Sequence, residues 1–266
     1  MTHSPNEHTD PQPEDELDEA FARLVEEGSE RLARPMRGLV ATGLLGGIDI
    51  GVGILAYFVV KDATDSVVLG GLAFSIGFVA LLLAHSELFT ENFLVPVTAA
   101  VAEKGPYLAL AKLWAVTLVT NIAGGALVVW VIVTARPDLE EVARETGLHY
   151  AELGVSLKSF LLAVLAGLVI TLMTRMQHST ENLGVKVVPA ILFGSVLVGA
   201  ELFHCVLDSI FIIGAAIAGA EVTVQQFVVA LVWSVLGNAV GGIGLVTFLR
   251  LVRTAPSVEA EREASD

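Results

Sequence analysis

The sequence predicts an all-α membrane protein of six transmembrane helices, arranged as two inverted three-helix repeats with the second and fifth helices broken. Three observations carry that prediction. Of the 266 residues, 54 % are apolar and only 17 % charged, with a mean hydropathy of +0.72, far oilier than the roughly 45–50 % apolar and ~25 % charged of soluble domains. The apolar residues fall into six long runs. Two of those runs are too long for a single crossing, and each is interrupted by polar residues that share the letters Glu-Leu-Phe.

The formal charge is −14 and its distribution is uneven. Residues 1–37 hold ten acids and four arginines, residues 254–266 hold four acids and one arginine, and a nearly uncharged body lies between. Apolar runs without a Gly-x-y period exclude disorder and collagen, and the acidic balance excludes nucleic acid as a partner. The single cysteine, Cys205, excludes an intrachain disulfide framework and any multi-cysteine metal site. No metal or cofactor is expected.

In chain order, residues 1–37 read as an acidic tail containing a solvated amphipathic helix, with Leu17, Phe21, Leu24, Val25 and Leu32 on one stripe. It serves as a collar or as a solubilising charge. The six apolar runs, each to be matched against the ~20 residues that span a ~30 Å core, are 38–60, 67–101, 108–134, 157–177, 184–219 and 223–249. They define a transmembrane domain at 38–253, with one repeat at about 38–134 and the other at about 157–249. Between the third and fourth runs, Pro137-Asp138 followed by Glu140 and Glu141 marks the start of a helix on the surface. Residues 254–266 form a second acidic tail. No cleavable signal precedes the first run, whose flank is acidic rather than basic.

Orientation follows from lysines and arginines near the span ends. With the N-terminus inside, Arg31, Arg34, Arg37, Lys104, Arg175, Lys186, Arg250 and Arg253 face the cytoplasm, against Lys61, Arg136, Arg144 and Lys158 outside. The chain is therefore expected in the cell membrane as a multi-pass protein with both termini cytoplasmic.

The run from Val67 to Val101 would measure about 52 Å as one helix at 1.5 Å per residue, well beyond the hydrocarbon thickness. It must break, and the polar stretch His85-Ser86-Glu87-Leu88-Phe89-Thr90-Glu91-Asn92 offers the place. The fifth run is interrupted in the same way by Glu201-Leu202-Phe203-His204. Glu87 to Thr90 aligns with Glu201 to His204 at an offset of 114, and Asn121-x-x-Gly124-Gly125 aligns with Asn238-x-x-Gly241-Gly242 at 117. Trp114 and Trp233 precede the two Asn-x-x-Gly-Gly motifs. Two motifs in the same order argue for duplication, and three spans per copy make the second copy inverted. Broken helices in corresponding positions are the sequence pointer to a substrate path.

On this alignment Thr90 and His204 are equivalent and meet near the middle of the path. A histidine titrates near pH 6.5 when unperturbed, so His204 could change charge, lend a proton to a weak acid in transit or act as a neutral hydrogen-bond donor. An isolated histidine can also be a core residue satisfied by a carbonyl, but an intramembrane ionisable group is a functional candidate by default. Glu87 and Glu201, at the two breaks, are expected to accept hydrogen bonds from the N–H groups of unwound turns, and Asn121 and Asn238 to serve structurally there. The paired glycines permit close helix packing. Asp49, in Gly46-Gly47-Ile48-Asp49-Ile50-Gly51, must be paired, protonated or facing water; His85 and His178 receive no role.

Ser86-Glu87-Leu88-Phe89-Thr90, His204-x-x-x-Asp208 and the two Asn-x-x-Gly-Gly motifs, in this order, resemble the formate/nitrite transporter family over about residues 35 to 253. The resemblance implies an aquaporin-like protomer in a homopentamer, one pathway per protomer, moving small monovalent anions or their weak acids such as formate, nitrite or hydrosulfide, with a proton coupled through the histidine. By position, Thr90 becomes the loop threonine and His204 the central histidine. Leu88 and Phe89 line the pathway, Phe74 is the outer constriction, and Phe78 or Leu197 forms a second ring. Lys158 stands at the outer mouth, where it either draws anions inward or is an ordinary interfacial lysine. This chain diverges in placing Phe203 where the family has an acid before the histidine, Thr171 where it has an asparagine, and Asp208 where asparagine is frequent. The alternatives are a pore for small neutral solutes on the same scaffold and, behind it, a membrane-embedded enzyme, for which no Gly-x-Ser-x-Gly or His-Glu-x-x-His set occurs.

Overall fold

The computed structural model describes residues 13–265, with side chains from 18 to 263; residues 1–12 and the side chain of Leu17 lie outside the described part. Every regular element among the described residues is helical. α1 (Pro13–Ala33) leads into the long apolar α2 (Met36–Thr64). The second apolar run is divided into α3 (Val67–Leu83), a 3-10 stretch (Phe89–Phe93) and α4 (Val95–Ala102), and α5 (Tyr107–Ala135) is the third. After α6 (Glu140–Ala151) comes α7 (Leu157–Gln177), and the fifth run is divided into α8 (Leu183–Gly199) and α9 (Cys205–Ile217). The last run comprises α10 (Val224–Ala239), a π-helical stretch (Val240–Thr247) and α11 (Phe248–Arg253), followed by α12 (Ala255–Ser265). α2, α5, α7 and the rod Val224–Arg253 are long and apolar enough to cross a membrane. α3, α8, α9 and the Phe89–Ala102 segment are apolar but shorter.

α2 packs on α3 and α5, α3 on α8, and α7 on α8 and α10. Two crossings are unusually close. A Cβ on Gly47 would lie 2.1 Å from the Asn121 carbonyl oxygen, and one on Gly167 would lie 2.0 Å from that of Asn238, so no larger residue fits at either place. The same approach recurs at Gly124 against the Leu44 carbonyl and at Gly241 against that of Val164.

The two breaks share one backbone geometry. α3 ends with His85 at φ 54° and the Ser86 N–H bonded to the Leu81 carbonyl at 3.1 Å; α8 ends with Glu201 at φ 48° and the Leu202 N–H bonded to the Leu197 carbonyl, also at 3.1 Å. Each is a left-handed helix stop that returns an N–H to the last turn. Beyond each stop an asparagine side chain takes over. Asn121 donates to the Glu87 and Gly43 carbonyls, both at 2.8 Å, and accepts from the Phe89 N–H at 2.8 Å. Asn238 donates to the Phe203 and Ala163 carbonyls at 2.9 and 2.8 Å and accepts from the Cys205 N–H at 3.0 Å.

These matched bonds correct the sequence alignment. His85 corresponds to Glu201, Glu87 to Phe203 and Phe89 to Cys205, a spacing of 116 residues and not 114. The shared letters Glu-Leu-Phe lie two residues out of structural register, because backbone conformation and the asparagine braces, not side-chain identity, define the break. Leu88 is thus the counterpart of His204, and Thr90 that of Val206.

α1 is docked, not solvated. Phe21, Leu24, Val25 and Leu32 are buried, and a Cβ on Gly28 would lie 2.6 Å from both the Ala99 Cβ and the Val95 carbonyl on α4. α12 seats Val258 in the same apolar cluster as Phe21 and Ala102, and its Ser257 hydroxyl donates to Asp18 at 2.6 Å. Both terminal helices therefore occupy one end of the bundle. Glu27 of α1 joins Arg31 at 2.5 Å and His178, at the end of α7, at 2.9 Å. Burial works to raise its pKa, yet the His178 hydrogen bond and the Arg31 charge hold it down to about 2 from an ordinary 4.5.

Two outcomes follow from this packing. Asn121→Leu or Asn238→Leu leaves two carbonyls and one N–H of the break without partners, at about 1–3 kcal/mol for each buried group; the expected loss of about 3 kcal/mol or more is read as a lower melting temperature in detergent, and an unchanged temperature would remove the amide as the brace. Because the Glu27 pKa is depressed, its contribution to α1 docking is complete above about pH 4.5 and lost as pH falls toward 2. Hydrogen exchange across α1 should show protection declining over that window in the wild type, and a smaller decline there in Glu27→Gln.

Candidate permeation site

His204 begins α9 as its N-cap, with extended backbone at φ −106° and ψ 122°. Its Nδ1 accepts the Leu207 N–H at 3.2 Å, satisfying one of the free donors at the start of the helix. The Asp208 carboxylate accepts the His204 N–H at 2.6 Å in return. The cap therefore fixes the ring from one side. Since Nδ1 is occupied as an acceptor, the neutral imidazole carries its proton on Nε2, which lies 2.9 Å from the Thr90 hydroxyl. Nε2–H donates and the Thr90 oxygen accepts.

Thr90 belongs to the 3-10 stretch that follows the first break, whose backbone is held by Asn121 and by the Trp114 indole N–H donating to the Asn92 carbonyl at 3.0 Å. One side chain from each break thus meets the other with almost no exposure, 0 % for Thr90 and 1 % for His204. Leu88, Phe89, Phe74, Phe78, Leu197 and Phe203 are buried in a single apolar cluster. Phe74 meets Phe78 edge to face at 5.5 Å, and Phe203 stacks on Tyr150 of α6 at 6.4 Å. The pair is a hydrogen-bonding centre within an apolar core. A small polar solute could exchange the threonine–histidine bond for bonds to itself.

The remaining sequence candidates fall in three places. Thr171 is buried with its hydroxyl unpartnered beside the π-helical stretch, where a Cβ on Gly242 would lie 2.5 Å away. Asp208 spends one oxygen on the cap and leaves Oδ1 without a partner. Lys158 is exposed in the first turn of α7. Neither glutamate does what the sequence suggested. Glu87 pairs with Arg34 and with the Thr42 hydroxyl instead of with unwound N–H groups. Glu201 sits at the left-handed stop, half exposed, 3.7 Å from His149. Asp49 Oδ2 and the Ser86 hydroxyl are buried without partners.

A charged cavity of about 480 Å³ under the first break escaped the sequence reading. Glu27, Arg31, Arg34, Glu87, His178 and Lys186 line it, and Arg31 reaches the Asn92 amide oxygen at 2.9 Å. The signal was present: Arg31 and Gly28 both continue the buried stripe of α1. Among the described residues, no group of three or more His, Cys, Asp or Glu could hold a metal ion.

Residues 18–252 match the family model for the formate/nitrite transporter. A formate channel of Bacillus thuringiensis is 26 % identical over 247 residues, 86 % of this chain and 92 % of that one. Among solved structures, a pentameric formate channel with formate bound aligns at TM-score 0.69 and 24 % identity, covering 83 % of this chain and 98 % of its own. A channel described as an FNT family ion channel aligns at TM-score 0.79 and 17 % identity, covering 91 % and 99 %. With the family model covering nearly the whole helical body, and with solved channels sharing its fold, this chain belongs to the formate/nitrite transporter family.

Proposed function

We propose that the protein is a channel or proton-coupled transporter for small monovalent anions and their weak acids, of the formate, nitrite and hydrosulfide class. The observation that carries this reading is the Thr90–His204 bond, made where the two broken segments meet. Residues 38–253 form six spans in a 3+3 inverted repeat. The recurrence of the same stops, braces and close crossings at a near-constant spacing supports this arrangement, and an odd number of crossings per unit requires the inversion. Both termini face the cytoplasm, in keeping with the excess of lysine and arginine on that side.

Transport then follows from the chemistry of the pair. Leu88, Phe89, Phe74, Phe78, Leu197 and Phe203 keep out hydrated ions, which cannot shed water against apolar side chains. His204 Nε2–H and the Thr90 hydroxyl receive the solute inside that barrier, Asp208 positions the histidine, and Thr171 offers a further hydroxyl. An anion crosses most cheaply after taking a proton, so flux carries acid equivalents. Lys158 draws anions to the outer mouth. The solved pentameric neighbour supports a homopentamer with one route per protomer. The family consists of transporters and channels, which sets the enzyme reading aside.

Proteoliposomes holding gradients of formate, nitrite or hydrosulfide across a pH series test the proposal. Flux is expected to fall about tenfold or more in His204→Phe, the scale of one lost hydrogen bond to a charged or polar solute. His204→Asn retains a side-chain acceptor for the Leu207 N–H and so separates transport from folding. Water or neutral-solute flux that ignores both substitutions would establish the neutral-pore alternative.

A further inference from the structure

Three arginines converge at the end of the bundle that carries α1 and α12. Arg250 and Arg253 lie on α11, and Arg175 lies in the last turn of α7. Arg250 is only 8 % exposed, and its Nε and Nη2 are buried with no hydrogen-bond partner. α7 runs alongside this last rod in the same direction, Gly237 lying against Ala163, Gly241 against Val164 and Gly242 against Thr171, so that Arg175 comes to the level of Arg250, and it and Arg253 both repel the buried guanidinium. None of the three has an ion-pair partner among the described residues. Arg23, Arg31, Arg34, Arg136 and Arg144 each pair with a carboxylate and Arg262 donates to the Val101 carbonyl, while Arg37, also without an ion pair among the described residues, is exposed where Arg250 is buried.

A guanidinium always carries its charge and offers five donors. Burying those donors without an acceptor, beside two like charges, is costly on both counts. An anion with several acceptor oxygens removes both costs, and phosphate matches the guanidinium fork. Its surroundings indicate where that phosphate comes from. Leu249, Val252 and Met176, on the same helical turns as the arginines, are 61 %, 58 % and 47 % exposed. Large apolar side chains beside a cationic cluster suit acyl chains beneath a headgroup.

We propose that Arg175, Arg250 and Arg253 form a binding site for the phosphate of an anionic phospholipid, whose acyl chains lie against Leu249, Val252 and Met176. The test uses the full chain, purified and delipidated in detergent, with phosphatidylglycerol, phosphatidylcholine or inorganic phosphate added, read by native mass spectrometry and by melting temperature. Phosphatidylglycerol should be retained selectively and should raise the melting temperature, with affinity falling about fivefold for each arginine removed. Arg250→Gln tests the buried member. Should it fail to fold, the double variant R175Q/R253Q, which alters only the more accessible members, carries the test. Equal retention of phosphatidylcholine, full stabilisation by inorganic phosphate alone, or undiminished phosphatidylglycerol binding in R175Q/R253Q would each overturn the proposal.

Discussion

Backbone that leaves the helix within an apolar core must find other partners for its N–H and C=O groups, and the rest of this structure depends on how that is done. Two asparagines do it. Asn121 and Asn238 each use three hydrogen bonds, two donated to carbonyls and one accepted from an N–H, to tie a broken segment to a neighbouring long helix. Each unsatisfied group would cost several kcal/mol in lipid-like surroundings. The braces need the long helices close, which is why Gly47 and Gly167 lie almost against the asparagine carbonyls. Close crossing, brace and break form one device, present twice.

Once the breaks are fixed, the placement of His204 is no longer free. The residue that begins α9 must cap it, and His204 does so through Nδ1, which forces the remaining proton onto Nε2 and aims it at Thr90. A helix cap and a donor to the opposite break are thus one side chain in one tautomer. Serine in the same position would cap equally well but would be too short to reach across to the other break. Imidazole has the length to serve both.

The sequence made the apolar spans, the two interruptions and the Asn-x-x-Gly-Gly pairs legible, because hydropathy and glycine spacing report on packing directly. The register between the breaks was not legible. Glu87 and Glu201 share a letter, whereas His85 and Glu201 share a backbone conformation, and only the latter defines equivalence. The docking of α1 was hidden for a different reason: its acids and arginines look like a solvated surface until Asn92 and Glu87 are seen to lie opposite them. The π-helical stretch gave no periodic signal either. It contains Gly241 and Gly242, whose weak helix preference permits the widened turn, and it lets Thr247 donate to the Phe93 carbonyl at 2.8 Å.

The corrected register also accounts for the phenylalanine that precedes His204. Glu87 and Phe203 are structural counterparts, since each presents its carbonyl to an asparagine brace. Their side chains point to different covers. Glu87 meets Arg31 of α1 and Arg34 just beyond its end, so charge seals the first break. Phe203 stacks on Tyr150 of α6, with ring planes 13° apart, so an aromatic contact seals the second. A carboxylate at position 203 would face the ring of Tyr150, itself packed on Phe211, in place of the Arg31 and Arg34 guanidinium groups that meet Glu87. The residue at each break is therefore set by the helix that covers it, and the two halves can keep a common backbone while differing in the chemistry of their closures.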